Sequence, residues 1–201
     1  MKRFLSNFFY NFFLTCLIIS IFIGFHSETK SENKVLASVN ELHQSLIKIS
    51  DKTINIDNLA MIDDVVKNSY DLEKMGKIII GINWKQMDTK TQEEFINVFK
   101  RFISVNYFRR INKINELNFE IQTVTDIENK FKLARVILTA DNERFKIDYL
   151  LGFKNEKWII FDVLLDGSIS EVATKKSDFK KIIEEKGVGG LVKNLSIRNQ
   201  F

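Results

Sequence analysis

Up to Ile111 the apolar residues of this chain recur at helical spacing, and from Phe119 they alternate with polar ones. Phe119-Glu-Ile-Gln-Thr-Val-Thr125, Phe131-Lys-Leu-Ala-Arg-Val-Ile-Leu-Thr139 and Phe145-Lys-Ile-Asp-Tyr-Leu-Leu151 alternate, whereas Trp158-Ile-Ile-Phe-Asp-Val-Leu-Leu165 is apolar almost throughout. The turns between them, Asp126–Lys130, Ala140–Glu143 and Lys154–Lys157, are too short for parallel crossovers. The four runs are therefore predicted to form an antiparallel meander.

The segment before the change in period reads as helices. Val35, Val39, Leu42, Leu46 and Ile49 mark an amphipathic helix from Val35 to about Asp51, and shorter helices are expected over Ile56–Asn68 and Asp71–Ile80. A longer one runs from Thr89 to Ile111, with Phe95, Val98, Phe99, Phe102, Ile103 and Tyr107 on one wide apolar face. Thr89 and Gln92 fit a capping box at its start. Past the meander, Asp178–Glu185 is a further helix ending at Gly187, and Leu191–Leu195 a short terminal one. Helices, then a meander, then closing helices make an α+β domain. The run 158–165 implies that both faces of its strand are shielded, either by helices or because one face lines a cavity.

Lys2 and Arg3 precede a long apolar run ending at Phe25, after which polarity returns at His26-Ser27-Glu28. This is the layout of a secretory signal, with an uncleaved membrane anchor as its rival because the run is long. The expected organisation is an export segment at 1–27, a linker at 28–34 and one domain over 35–201, exported to the periplasm and tethered to the inner membrane if the segment is kept. Cys16, the only cysteine, lies in the apolar run, so the rest of the chain is predicted to have no disulfide, thiolate chemistry or Cys metal site. Without Lys2 and Arg3 the formal net charge of +4 falls to +2, too balanced for a nucleic-acid footprint.

Catalytic and metal-ligating constellations are hard to assemble. His43 is the one histidine beyond residue 27, read here as lying on the polar edge of its helix. A Ser-His-Asp triad would depend on it alone, and zinc or copper sites lack ligands. No cofactor is expected. Asp162 interrupts the apolar run, and two readings are open: a base with Tyr149 as partner, or a structural carboxylate bonding a helix terminus or a cation. Gly187-Val-Gly-Gly190 follows a helix and lacks the Lys-Ser/Thr continuation of a phosphate loop, so it reads as a helix end. Arg109-Arg110 with Lys113, Lys175-Lys176 and Lys180-Lys181 read as solvated surface or as docking points for an acidic partner or a lipid head group, and Trp84 and Trp158 as core anchors. This leaves binding as the leading class.

Tyr70-Asp-Leu-Glu-Lys-Met-Gly-Lys-Ile-Ile-Ile-Gly-Ile-Asn-Trp84 resembles the aspartate–Met–Gly–Trp stretch of the MlaC family, also called the toluene-tolerance or ABC-transporter auxiliary family. The helix Thr89–Phe99 resembles that family's Gln–Phe–Phe helix, and Trp158–Ser168 its Trp–aromatic–Asp–Val–Gly–Ser signature. Phe179-Lys-Lys-Ile-Ile with Gly190-Leu191 and Leu195 resembles its C-terminal part. The resemblance implies a curved four-stranded sheet and helices enclosing an apolar pocket for phospholipid. It also implies a periplasmic carrier shuttling lipid between an outer-membrane lipoprotein complex and an inner-membrane ABC transporter with an MCE subunit, to maintain outer-membrane lipid asymmetry; nothing in the sequence argues against a monomer. With that role in view, the lipid-binding residues expected are Phe99, Phe102, Ile103 and Tyr107 from the helix and Ile147, Tyr149, Leu151, Phe161, Val163 and Leu165 from one parity of two strands. The rivals are a membrane-anchored scaffold without cargo and a small α+β enzyme using Asp162.

Overall fold

A computed structural model of the chain describes residues 34–50 and 58–200. The export segment 1–27 with Cys16, the linker except Lys34, and the helix limits expected at Asp51 and Ile56 lie outside these residues. From Leu36 onward the described chain forms one compact unit; of Met1–Val35, a separate unit, only the helical residues 34 and 35 are described.

The first helix, α1, covers residues 34–50 and buries Leu36, Val39, Leu42, Leu46 and Ile49 at spacings of three and four. Then come α2 (Asn58–Ser69), α3 (Leu72–Ile80), a 3-10 turn (Gly81–Gln86) and α4 (Thr89–Ile111). The cap of α4 is Asp88, whose carboxylate accepts the Thr91 N–H at 2.7 Å, so the box expected at Thr89 is not formed. Gln92 instead donates to the carbonyls of Trp84 at 3.0 Å and Met87 at 3.3 Å, which joins the 3-10 turn to α4.

Rings spaced three and four apart along α4 build an aromatic ladder. Trp84 meets Phe95 edge-on, Phe95 stacks on Phe99, Phe99 on Phe102, and Phe102 meets Phe179 from the far end of the chain. Phe95, Phe99 and Phe179 are fully buried, each contributing about 1.5–3 kcal/mol by area. Gly76 of α3 makes the ladder's first step fit, since a Cβ there would lie 2.8 Å from the Trp84 ring and 3.1 Å from Phe95.

The sheet has five strands in the order β1 (Leu117–Ile127), β2 (Phe131–Ala140), β3 (Glu143–Lys154), β4 (Lys157–Leu165) and β5 (Ile169–Ser170), all antiparallel. The two-residue turns Asp141-Asn142 and Asn155-Glu156 have positive φ at both positions, which matches the right-handed twist of the flanking strands. The meander is thus as expected with one strand more. β5 has only two residues, too few to show a period.

A bulge interrupts the register of β4. Leu150 pairs with Asp162 but Leu151 pairs with Ile160, so Phe161 is an extra residue. Side-chain parity inverts there, and Trp158 and Ile160 share a face with Val163 and Leu165. Ile159, Phe161 and Leu164 lie on the opposite face and are half-buried, so the continuous run reflects apolar side chains on both faces of the strand. The skipped residue, Phe161, packs on Phe131 beneath the Lys74 ammonium, 3.4 Å from the Phe161 ring centre. At the strand's outer end Trp158 is half-buried against the exposed Phe153, not a core anchor like the buried Trp84.

The last helix, α5 (Glu171–Arg198), begins seven residues before the expected Asp178 because Ser170 caps it, accepting the Ala173 N–H at 2.9 Å. Asp162 adds a second acceptor at this helix start, taking the Val172 N–H at 3.1 Å and the Ser170 hydroxyl at 2.6 Å. At Gly187 (φ 67°, ψ −178°) the helix breaks and restarts, which separates the two C-terminal helices expected from the sequence.

Two glycine substitutions separate close packing from helix propensity. A methyl group added at Gly189 in α5 would meet nothing within 4 Å, so Gly189→Ala is expected to raise stability by about 0.5–1 kcal/mol. Gly76→Ala gains the same propensity but forces the Trp84–Phe95 contact, and a net loss of about 1–2 kcal/mol is expected. Urea unfolding of both variants checks this; equal gains would show that the ladder yields freely.

Candidate functional site: an apolar cavity with a charged rim

A cavity of about 480 Å³ lies between the helices and the inner face of the sheet. α4 contributes Phe99, Phe102, Ile103 and Tyr107, the four helix residues expected from the sequence. From the strands come Ile147, Tyr149, Val163 and Leu165, again as expected, together with Phe119, Leu138 and Phe145. α1 adds Leu46, α3 adds Met75, and Tyr70 closes the wall between α2 and α3.

The remaining two expected residues do not reach it. Phe161 is the bulge residue and points to the opposite face of the sheet. Leu151 is on the inner face but beyond the end of the cavity, fully buried in the core. Phe119 and Leu138 were legible in principle: they pair with each other across β1 and β2, and Leu138 pairs in turn with Phe145.

Polar groups inside the cavity are bonded in pairs. The hydroxyls of Tyr70 and Tyr107 lie 2.5 Å apart, and the Tyr149 hydroxyl shares a hydrogen bond of 3.1 Å with His43 Nε2. His43 is 3 % exposed, not on a polar edge, with its ring stacked on Phe119 at 3.9 Å. Burial lowers its pKa to about 3, so the imidazole is neutral at physiological pH. Burial likewise raises the Tyr70 and Tyr149 phenols well above the ordinary range and raises Tyr107, against the opposing pull of Arg110. The cavity therefore presents neutral, mutually satisfied groups to whatever occupies it.

Charge is confined to one end. Arg110, Lys146, Asp166, Glu171 and Lys175 line the cavity there, beside Phe145, which is 41 % exposed. Lys175 pairs with Glu171 at 3.6 Å and with Asp178 at 3.4 Å. Arg110 and Lys175, which in the sequence belong to two separate basic clusters, thus share one rim.

Asp162 and Tyr149 do not form an acid/base pair. Asp162 sits opposite Leu150 and Tyr149 opposite Val163, which sends the two side chains to opposite faces. The Asp162 carboxylate accepts the N–H groups of Val163 and Val172 and the Ser170 hydroxyl, so it anchors α5. Among the described residues no group of three or more His, Cys, Asp or Glu is placed to hold a metal ion, and no helix is long and apolar enough to cross a membrane.

A neutral buried histidine has a signature in the pH dependence of stability. Its folded pKa of about 3 lies below the unfolded value of 6.5, so between them the unfolded chain binds the extra proton and stability falls as pH falls. Between pH 7 and pH 5 this single group should cost about 2 kcal/mol. His43→Gln is expected to lose about that much less than the parent over the same interval, measured by urea unfolding at both pH values. Parallel losses would mean that His43 is hydrated in the folded protein.

Comparison with known proteins agrees with this architecture. The family model described as MlaC protein matches residues 37–196. Among solved structures, a phospholipid-binding protein from Ralstonia solanacearum in complex with a phospholipid superposes with a TM-score of 0.70 at 19 % sequence identity, covering 83 % of this chain and 94 % of that one. No curated protein matches the chain.

Proposed function

The chain belongs to the MlaC family, and from that premise we propose that it carries phospholipid through the periplasm, taking acyl chains into the cavity and leaving the head group at the charged rim. The observation that carries this reading is the cavity itself: about 480 Å³, apolar along its walls, its internal hydroxyls paired off and its charges gathered at one end. Each methylene moved from water into such a site gains about 0.8 kcal/mol, so a long chain is held firmly without a covalent bond. The phospholipid complex of the structural neighbour supports the same use of the fold. Binding without turnover suits a sheet whose two buried carboxylates are already engaged, Asp148 by Arg135 and Asp162 in anchoring α5.

The proposed route runs between an outer-membrane lipoprotein complex and an inner-membrane ABC transporter with an MCE subunit, serving outer-membrane lipid asymmetry, with the protein acting as a monomer. Residues 1–27 direct export in this reading, by cleavage or as a tether.

The test is native mass spectrometry of the chain recovered without detergent from an expressing bacterium, with extraction and identification of its lipid. Stoichiometric phospholipid is expected. Val163→Trp, which fills the cavity, should lose most of it, whereas Phe161→Leu, on the opposite face, should keep it. A folded protein that is consistently free of lipid overturns the proposal.

A further inference from the structure

The two halves of α5 are held in unlike ways. The second half buries Leu191, Val192 and Leu195. Its end is also tied to α4: Asn199 Nδ2 donates to the Val98 carbonyl at 3.0 Å, and Arg109 donates to the carbonyls of Arg198 and Gln200. The first half, residues 171–186, fully buries just Val172 and Phe179. Its ion pairs join Lys175 to Glu171 and Asp178, Lys180 to Glu184 and Lys181 to Glu185, all within the helix itself.

Among the described residues, the side-chain hydrogen bonds from this first half to other elements all lie in its first turn. There Asp162 takes the Val172 N–H, and Ser170 takes the Ala173 N–H and the Thr174 hydroxyl. The Ser170 hydroxyl donates in turn to Asp162 at 2.6 Å. At the other end the two halves meet at Gly187, in the left-handed region at φ 67°, where an added Cβ would meet nothing within 4 Å. A break in the helical ladder with open space around it is where a helix bends at least cost.

The same half forms one side of the cavity's opening. Glu171, Val172 and Lys175 line it, and Phe179 backs the wall residue Phe102. Residues 171–186 span about 24 Å at about 1.5 Å per residue, so a rotation of about 10° at Gly187 carries the first turn about 4 Å outward.

We propose that the first half of α5 is a hinged strap across the opening, with Gly187 as its hinge and Asp162 as the latch of its far end. Unlatching withdraws Glu171, Val172 and Lys175 and widens the way in and out for lipid, a purpose that rests on the carrier reading above. Asp162 is then a positioning residue: it acts on the opening through Val172 and Ser170 and does not line the cavity itself.

The experiment is native-state hydrogen exchange of the full chain, read by peptide mass spectrometry, in the parent and in Asp162→Asn. Amides of residues 175–186 are expected to exchange together, at least about tenfold faster than those of 190–198. In Asp162→Asn the first group speeds up by about a further tenfold and the second does not change, whereas a general loss of stability would speed both. Ser170→Ala is expected to act in the same direction, more weakly, and serves should the first variant not fold. Release of a fluorescent phospholipid from the loaded chain to acceptor vesicles quickens in step. Equal protection across 175–198, or equal acceleration of both groups, overturns the strap. A segment that opens without quickening release overturns its role at the opening and leaves the carrier reading standing. A chain that takes up no phospholipid overturns the carrier reading, and that role with it.

Discussion

The extra residue at Phe161 determines how β4 serves the rest of the molecule. By inverting parity within one strand, it lets Trp158 and Ile160 face the same side as Val163 and Leu165, so that the strand contributes to the core at one end and to the cavity at the other. β5 covers the far edge of this strand only at Leu164 and Leu165, and beyond it the Ile160 carbonyl accepts the Asp71 N–H at 2.7 Å, which docks the start of α3 on the sheet edge. Asp71 caps α3 through the Lys74 N–H, and its carboxylate also receives Lys154 from β3 at 2.9 Å. Two residues further along β4, Asp162 holds the first turn of α5. Two helices are therefore placed by positions flanking the bulge of one strand, and the cavity is the space left between them, α4 and the inner face.

The polar content of that space follows a consistent rule. A buried hydroxyl without a partner costs about 1–3 kcal/mol, and the cavity's three tyrosines avoid this by bonding within the protein and not to an occupant. An interior satisfied in this way does not select for a polar ligand and does not attract water strongly. Selection by charge is left to the rim, where Arg110, Lys146 and Lys175 face Asp166 and Glu171. This division, indifferent walls and a charged opening, is what an amphiphile with an apolar tail requires.

Much of this is legible in the sequence, and the exceptions have physical causes. The helical faces of α1 and α4 and the three hairpins can be read because long periodic runs and short turns admit few alternatives. Phe161 is misplaced by the alternation rule because a bulge inverts parity without changing composition, although the rule stays right for Val163 and Leu165. Leu151 is misplaced for another reason: parity fixes the face of a sheet, not how far along the strand a cavity extends. His43 looks peripheral on its own helix, and only Phe119 and Tyr149, more than seventy residues away in sequence, enclose it. The first turn of α5 escapes the sequence reading because its start signal is upstream, in Asp162 and Ser170. The family motifs acquire separate roles from this: Asp71 caps a helix, Gly76 admits Trp84, and Asp162 anchors α5.

The central claim is that the inner face of the sheet and α4 enclose an acyl chain. A phospholipid bearing a photoactivatable diazirine midway along its chain, bound, irradiated and mapped by peptide mass spectrometry, tests this directly. Crosslinks are expected at Phe102, Ile103, Leu138 and Val163, the residues that converge on the cavity. Crosslinks concentrated at Phe161, Phe131 or Leu150 on the opposite face would contradict the account, as would a lipid that binds and labels neither face.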